Sequence, residues 1–238
     1  MTVSFDPREH AYRAGGRKVP SVTEILRAEG LTSSYAFSDR THAFRGSAVH
    51  RACAMLDFGA NPIVSGPKHL QQVVDDINNG YVPAFARWRE RTKFQGRCWE
   101  CPIVSPEMGY GGTFDAAGNF EGSPEIVLLD LKSGVMPAMV PIQLAGYLDL
   151  IQKGTPVDAQ HYGWEWLQEN VRSGVPVRRV AVRLEKTGRE TMFTEGPDGT
   201  HYSHPMWTVA FRSAVNLHNL KAKFNLKEEG GKMNGEAR

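Results

Sequence analysis

Asp130 and Lys132 stand two residues apart at the end of the apolar run Ile126, Val127, Leu128, Leu129. The run reads as a buried strand, and residues two apart on a strand project from the same face. A carboxylate and an ammonium therefore stand side by side at the rim of a sheet, which makes them a candidate reaction centre. Asp115, within the stretch GYGGTFDAAG of residues 109–118, offers a second carboxylate. Carboxylate oxygens suit a hard divalent cation, and an ammonium beside them suits charge stabilisation.

These residues need elements to hold them. From Arg97 the pattern turns to strand: Trp99, Pro102, Ile103 and Val104, then residues 110–117, turned at Ser105-Pro106-Glu107. Asp115 falls towards the end of the second strand and Asp130 towards the end of the third, so the two converge if the strands are neighbours. Gly111, Gly112 and Gly118 fit a bent or closely approached strand. The stretch matches neither the P-loop nor the dinucleotide fingerprint. Residues 141–152 read as a helix with Leu144, Leu148 and Ile151 buried; Gln143 and Tyr147, four apart, share a face. An earlier helix over 40–58 carries Phe44, Ala48, Ala52 and Met55 at helical spacing, with His50 beside that stripe.

The remaining chain supplies the frame. Residues 3–5 and 11–13 read as a hairpin, and Ser21 followed by Glu24 is a capping box opening a helix. Residues 67–94 read as one or two helices, broken near Asn78-Asn79-Gly80. Arg87, Arg89, Arg91 and Lys93 do not share one helical face and read as solvated surface rather than a phosphate patch. A helix over 159–172, a hairpin over 176–184 and 190–194, and a last helix over 206–224 follow. The expectation is a single α/β domain over 1–226, a mixed, largely antiparallel central sheet flanked by helices, with residues 227–238 a polar, disordered tail.

Composition sets the outer limits. Twenty-eight Lys and Arg face 26 Asp and Glu, a net charge of +2 that neither demands nor excludes a nucleic-acid partner. No stretch approaches the length of a membrane-spanning helix, and the N-terminus lacks a secretory layout. Three cysteines, Cys53, Cys98 and Cys101, suit a reducing compartment. The expectation is a cytoplasmic protein.

Taken in order, the candidates are His50 in RGSAVH, Asp115 in GGTFD, Asp130 and Lys132 in LLDLKSG, and Gln143 with Tyr147 in QLAGY. This series resembles the PD-(D/E)XK nuclease superfamily, specifically its RecB-like branch, and PSVTEIL resembles the N-termini of its phage-type and mitochondrial genome-maintenance exonucleases. The similarity runs through roughly residues 3–195. It implies a restriction-endonuclease-like core and metal-dependent hydrolysis of DNA phosphodiester bonds, by an exonuclease acting on duplex ends or single strands in phage recombination or DNA processing. Products with 5′-phosphate and 3′-hydroxyl are expected, and Gln143 and Tyr147 are expected to support the lysine and contact the substrate strand. Asp115 and Asp130 supply carboxylate oxygens for Mg²⁺ or Mn²⁺, and the Leu131 backbone carbonyl can add a third. His50 adds a nitrogen that suits Mn²⁺ better. Lys132 can orient the attacking water or stabilise the transition state. Glu100 is a further acidic candidate, although an exposed strand glutamate is the simpler reading.

Plainer readings exist for each residue taken singly. Asp130 and Lys132 could form a strand-end ion pair, Asp115 could be a turn residue, and His50 could be a solvated residue at a helix margin. Gln143 could be a polar surface residue, and Tyr147 a core aromatic. Jointly, the alternative is a catalytically inactive nucleic-acid-binding module of the same fold. Four thiolates are the usual ligand set of an iron–sulfur cluster, so three cysteines predict none. Cys98-Trp99-Glu100-Cys101 has metal-ligand spacing, but no second pair completes a zinc site, and strand alternation predicts that its thiols point to opposite faces, which also argues against chelation.

Overall fold

The computed structural model describes residues 1–31, 40–196 and 199–224, so the expected tail over 227–238 lies outside the described residues. The chain opens with β1 (Val3–Asp6), β2 (Ala11–Ala14) and β3 (Arg17–Val19), an antiparallel three-stranded sheet. The third strand extends the expected hairpin. Ser21 caps α1 (Val22–Ala28) with both reciprocal bonds of a capping box: its Oγ accepts from the Glu24 N–H, and its own N–H donates to Glu24 Oε2 at 2.7 Å.

Helix α2 (Arg40–Asp57) follows, then a 3₁₀ turn (Lys68–Leu70), α3 (Gln71–Asp76) and α4 (Val82–Thr92). The break expected at Asn78-Asn79-Gly80 is instead a π-helical turn, Ile77–Tyr81, that carries the helix on. Local propensity gives way to packing there: a side chain at Gly80 would sit 2.1 Å from the Lys186 carbonyl, so only glycine admits that contact. The long strand β4 (Phe94–Ser105) begins three residues earlier than the sequence suggests. It is followed by β5 (Tyr110–Phe120), β6 (Ile126–Ser133) and α5 (Val140–Lys153). A two-residue edge strand, β7 (Thr155–Pro156), precedes α6 (Trp164–Arg172), which is shorter than expected because residues 158–163 form turns. The hairpin β8 (Val177–Leu184) and β9 (Glu190–Phe193) leads to α7 (Pro205–Phe224).

Among the described residues, six strands form the main sheet in the order β7-β4-β5-β6-β8-β9, with β6 and β8 parallel and the other pairs antiparallel. The fold is mixed α/β, the sheet flanked by helices on both sides. One face packs against α1, α5, α6 and α7 through residues such as Ile25, Leu144, Leu167 and Phe211. The other packs against α2 and α4 through Val49, Phe85 and Trp88. Strand β6 lies between the two layers: Leu128 enters the first, and Val127 and Leu129 enter the second. Burial on both faces explains its unbroken apolar run. The small sheet lies on β5, where the Tyr12 ring covers Gly111 and the Tyr12 hydroxyl meets Thr113 Oγ1 at 2.8 Å. Among the described residues, no helix is long and apolar enough to cross a membrane.

Candidate active site

The β5–β6 ladder pairs Ala116 with Leu129 and stops there. Asp115 and Asp130 are the next positions outward, where the two strands part. The Leu131 N–H, freed from strand pairing on that side, donates to Asp115 Oδ2 at 2.6 Å. Both carboxylates are buried, Asp130 almost completely at 1 % exposure.

Helix α2 brings His50 to the same place. Val49, Ala52 and Cys53 bury its inner face. Its last residue, Asp57, ties the helix to β4 and α4. The Gly96 N–H and Trp99 Nε1 donate to Asp57 Oδ2 at 2.8 and 3.0 Å, and Arg89 Nε donates to Oδ1 at 2.5 Å. So anchored, His50 lies with Nε2 3.0 Å from the Leu131 carbonyl and Nδ1 3.3 Å from Asp115 Oδ1. The carbonyl only accepts, so Nε2 carries a hydrogen and Nδ1 turns towards the carboxylates. One residue thus orients both groups: the Leu131 N–H holds Asp115 and its C=O holds His50.

Glu100 completes this cluster, with Oε1 3.6 Å from His50 Nδ1. Its backbone is left-handed, φ +48°, in the middle of β4, an uncommon conformation for a non-glycine residue. Strict alternation would put Glu100 opposite Trp99. The left-handed turn instead sends both towards the α2 side, Trp99 into the α2–α4 layer and Glu100 to His50. Ligand atoms of His50, Glu100 and Asp115 all lie within 4.8 Å of one another.

Asp130 lies beside this cluster, paired with Lys132. The lysine Nζ is 2.8 Å from Asp130 Oδ1 and 2.7 Å from Oδ2, so the ammonium faces both carboxylate oxygens. Lys132 Nζ also reaches Gln143 Oε1 at 3.4 Å, and Gln143 Nε2 donates to the Tyr147 hydroxyl at 2.8 Å. The shared face of Gln143 and Tyr147 on α5 is thus turned to the lysine, in a line Asp130–Lys132–Gln143–Tyr147.

Protonation follows from these contacts. Burial pushes the Asp130 carboxyl up to about 6, with the nearby Asp115 charge adding to the rise and Lys132 opposing it. Burial alone would lower the Lys132 ammonium, but the Asp130 and Asp115 carboxylates outweigh it and hold the amine above its usual value. Burial likewise opposes a charge on His50, yet Asp115 and Glu100 carry the ring well above the ordinary histidine value. Asp115 itself lies below the usual carboxylate range: His50, Lys132 and the Leu131 N–H overcome its burial. The cluster is therefore arranged around positive charge.

A divalent cation fits these donors. His50 Nδ1, Asp115 and Glu100 converge, while Asp130, close enough to interact with Asp115 and His50, is held by Lys132 at 2.7 Å. Carboxylate oxygens with one imidazole nitrogen suit Mn²⁺ and Mg²⁺. The Leu131 carbonyl, one of the expected ligands, holds the His50 ring in place, the usual outer-shell task of such an acceptor. Sequence reasoning weighed Glu100 and passed over Asp57. The first carries no signal in an alternating strand pattern, and the second acts only through contacts distant in sequence.

A groove of about 740 Å³ lies elsewhere, between α4 and the β8–β9 turn. Its charges are largely matched, Arg91 with Glu190 and Arg183 with Glu185, and nothing there rivals the carboxylate cluster. A scan against protein-family models finds no match, and a search of the curated proteins finds no relative.

Proposed function

We propose that this protein is a metal-dependent nuclease with a restriction-endonuclease-like core, hydrolysing DNA phosphodiester bonds at ends or in single strands. The observation that carries the reading is the convergence of His50, Glu100 and Asp115 beside the Asp130–Lys132–Gln143–Tyr147 line. It supports the reading because His50, Asp115, Asp130, Lys132, Gln143 and Tyr147 also follow the order of the RecB-like PD-(D/E)XK series.

His50, Asp115 and Glu100, with Asp130 beside them, would hold Mg²⁺ or Mn²⁺. Such an ion acidifies bound water and offsets charge on phosphate. Asp115 enters the reaction already aimed, because the Leu131 N–H fixes one of its oxygens. Lys132 keeps its proton, and its ammonium can donate to the attacking water or to a phosphate oxygen. Gln143, braced by Tyr147, limits where that ammonium can swing. A family role in phage recombination or DNA processing belongs to the same proposal.

The test is cleavage of end-labelled single-stranded, duplex and circular DNA with Mg²⁺, Mn²⁺ or a chelator. Metal-dependent release of nucleotides from linear DNA, abolished in Lys132→Ala, is the expected result. Cleavage that persists in Lys132→Ala overturns the assignment. The second reading, a binding module without catalysis, draws on the fact that His50 and Lys132 already satisfy the carboxylates as cations. DNA binding with no cleavage in either metal would select it.

A further inference from the structure

On the other face of β4, Cys98 and Cys101 do not diverge as strand alternation predicts. Arg97 is an extra residue in the β4–β5 pairing, between Gly96 and Cys98, and Glu100 is left-handed. The two irregularities turn both thiols into the layer beneath α5 and α6, each fully buried, while Trp99 between them enters the opposite layer. The expectation that the two thiols point to opposite faces is therefore corrected.

A third donor approaches from the turn before α6. Gly163 is packed so closely on β4 that a side chain there would overlap the Arg97 carbonyl, and its φ of +79° suits glycine. That contact seats His161 over the cysteines. His161 Nε2 is 2.7 Å from the Trp99 carbonyl, so it carries a hydrogen, and the lone pair belongs to Nδ1. A backbone carbonyl fixing the tautomer in this way is the common outer-shell partner of a metal-bound histidine. The ligand atoms of Cys98, Cys101 and His161 lie within 4.8 Å of one another.

We propose that Cys98, Cys101 and His161 form a second metal site, for a thiophilic divalent ion such as Zn²⁺. Two sulfurs and one imidazole select zinc over Mg²⁺ or Mn²⁺. Loading releases the two thiol protons to solvent, and the two thiolates neutralise the dication, which suits their burial. His161 is partly buried, and a water molecule can complete the four-coordinate set that zinc prefers. The ion ties β4 to the turn before α6 and braces the irregular segment that presents Glu100 on the opposite face.

The site is tested by zinc content and by cobalt spectroscopy on the full chain. With equimolar Co²⁺, the wild-type protein should show thiolate-to-cobalt charge-transfer bands and tetrahedral visible absorption. Bound zinc and these bands should survive Asp115→Asn and disappear in Cys98→Ser and in Cys101→Ser. His161→Ala, which leaves the buried thiols in place, should weaken zinc binding by about 10–100-fold or more. Wild-type protein without thiolate–cobalt bands overturns the proposal, as does zinc that leaves with Asp115→Asn. A Cys98–Cys101 disulfide found by mass spectrometry in freshly reduced, zinc-treated protein overturns it too.

Discussion

Asp115 takes its orientation from Leu131, sixteen residues on: the 2.6 Å hydrogen bond from the Leu131 N–H fixes Oδ2 and leaves Oδ1 facing His50. Asp115→Asn preserves shape and can still accept that bond, but removes the charge. We expect a folded protein whose Mn²⁺ affinity, measured by titration calorimetry, falls by more than the about 10–100-fold that loss of an outer-shell partner costs. Unchanged affinity would place the ion elsewhere.

Bound metal should also register as stability. An ion that binds only the folded chain adds about 2.7 kcal/mol at a hundred times its dissociation constant. Thermal unfolding with and without Mn²⁺ should show this gain in the wild type, and His50→Ala should lose most of it. An equal gain in His50→Ala would remove the histidine from the ligand set.

Asp57 touches none of the proposed ligands yet seats the helix that carries His50. Asp57→Ala leaves the half-buried Gly96 N–H and the buried Trp99 Nε1 without this acceptor, the latter at a cost of about 1–3 kcal/mol. We expect a lower melting temperature together with weaker Mn²⁺ binding. Weakened stability with unaltered Mn²⁺ affinity would show that α2 keeps its place without this anchor.

Acid sensitivity should trace to Asp149 on α5. This buried carboxylate accepts from the Tyr110 hydroxyl at 2.7 Å and from Arg212, and pairs with Lys153 at 3.2 Å. Burial pushes it up, but Arg212, Tyr110 and Lys153 win and hold it below its ordinary value. A depressed folded value means stability that is fully present above the ordinary carboxylate range and lost as pH falls through the folded value. Melting temperature should therefore fall below about pH 4 in the wild type and fall less steeply in Asp149→Asn. Parallel curves would exclude Asp149 as the cause.

Close packing at one glycine gives a further check. A side chain at Gly146 on α5 would come within 2.7 Å of the Phe211 ring on α7. Gly146→Ala should therefore destabilise by about 1–3 kcal/mol through overpacking, read from denaturant unfolding. A neutral or stabilising result would mean that Phe211 moves aside at little cost.

Much of this arrangement was readable because it is local or periodic. The run before Asp130 marked a strand buried on both faces, Ser21 and Glu24 marked a cap, and the spacing of Gln143 and Tyr147 put them on one face of α5. What escaped depends on departures from regularity. Glu100 and the two cysteines share one side-chain logic, set by a left-handed residue and an extra residue that alternation cannot foresee. The turn at Asn78-Asn79-Gly80 looked like a break because its compensating contact, Lys186, lies over a hundred positions away. Asp57 was invisible for the same reason, since its partners on β4 and α4 are joined to it only by folding.

The Tyr12 ring lying on Gly111 decides where this chain can be trimmed. Residues 1–20 look peripheral, three short strands ahead of the first capped helix. Yet they cover the glycine two positions before Thr113 and shield Val104 on the neighbouring strand. An expression boundary drawn at Ser21 would bare that strip of the main sheet to solvent and invite self-association. An affinity tag ahead of the exposed Met1 would leave it covered.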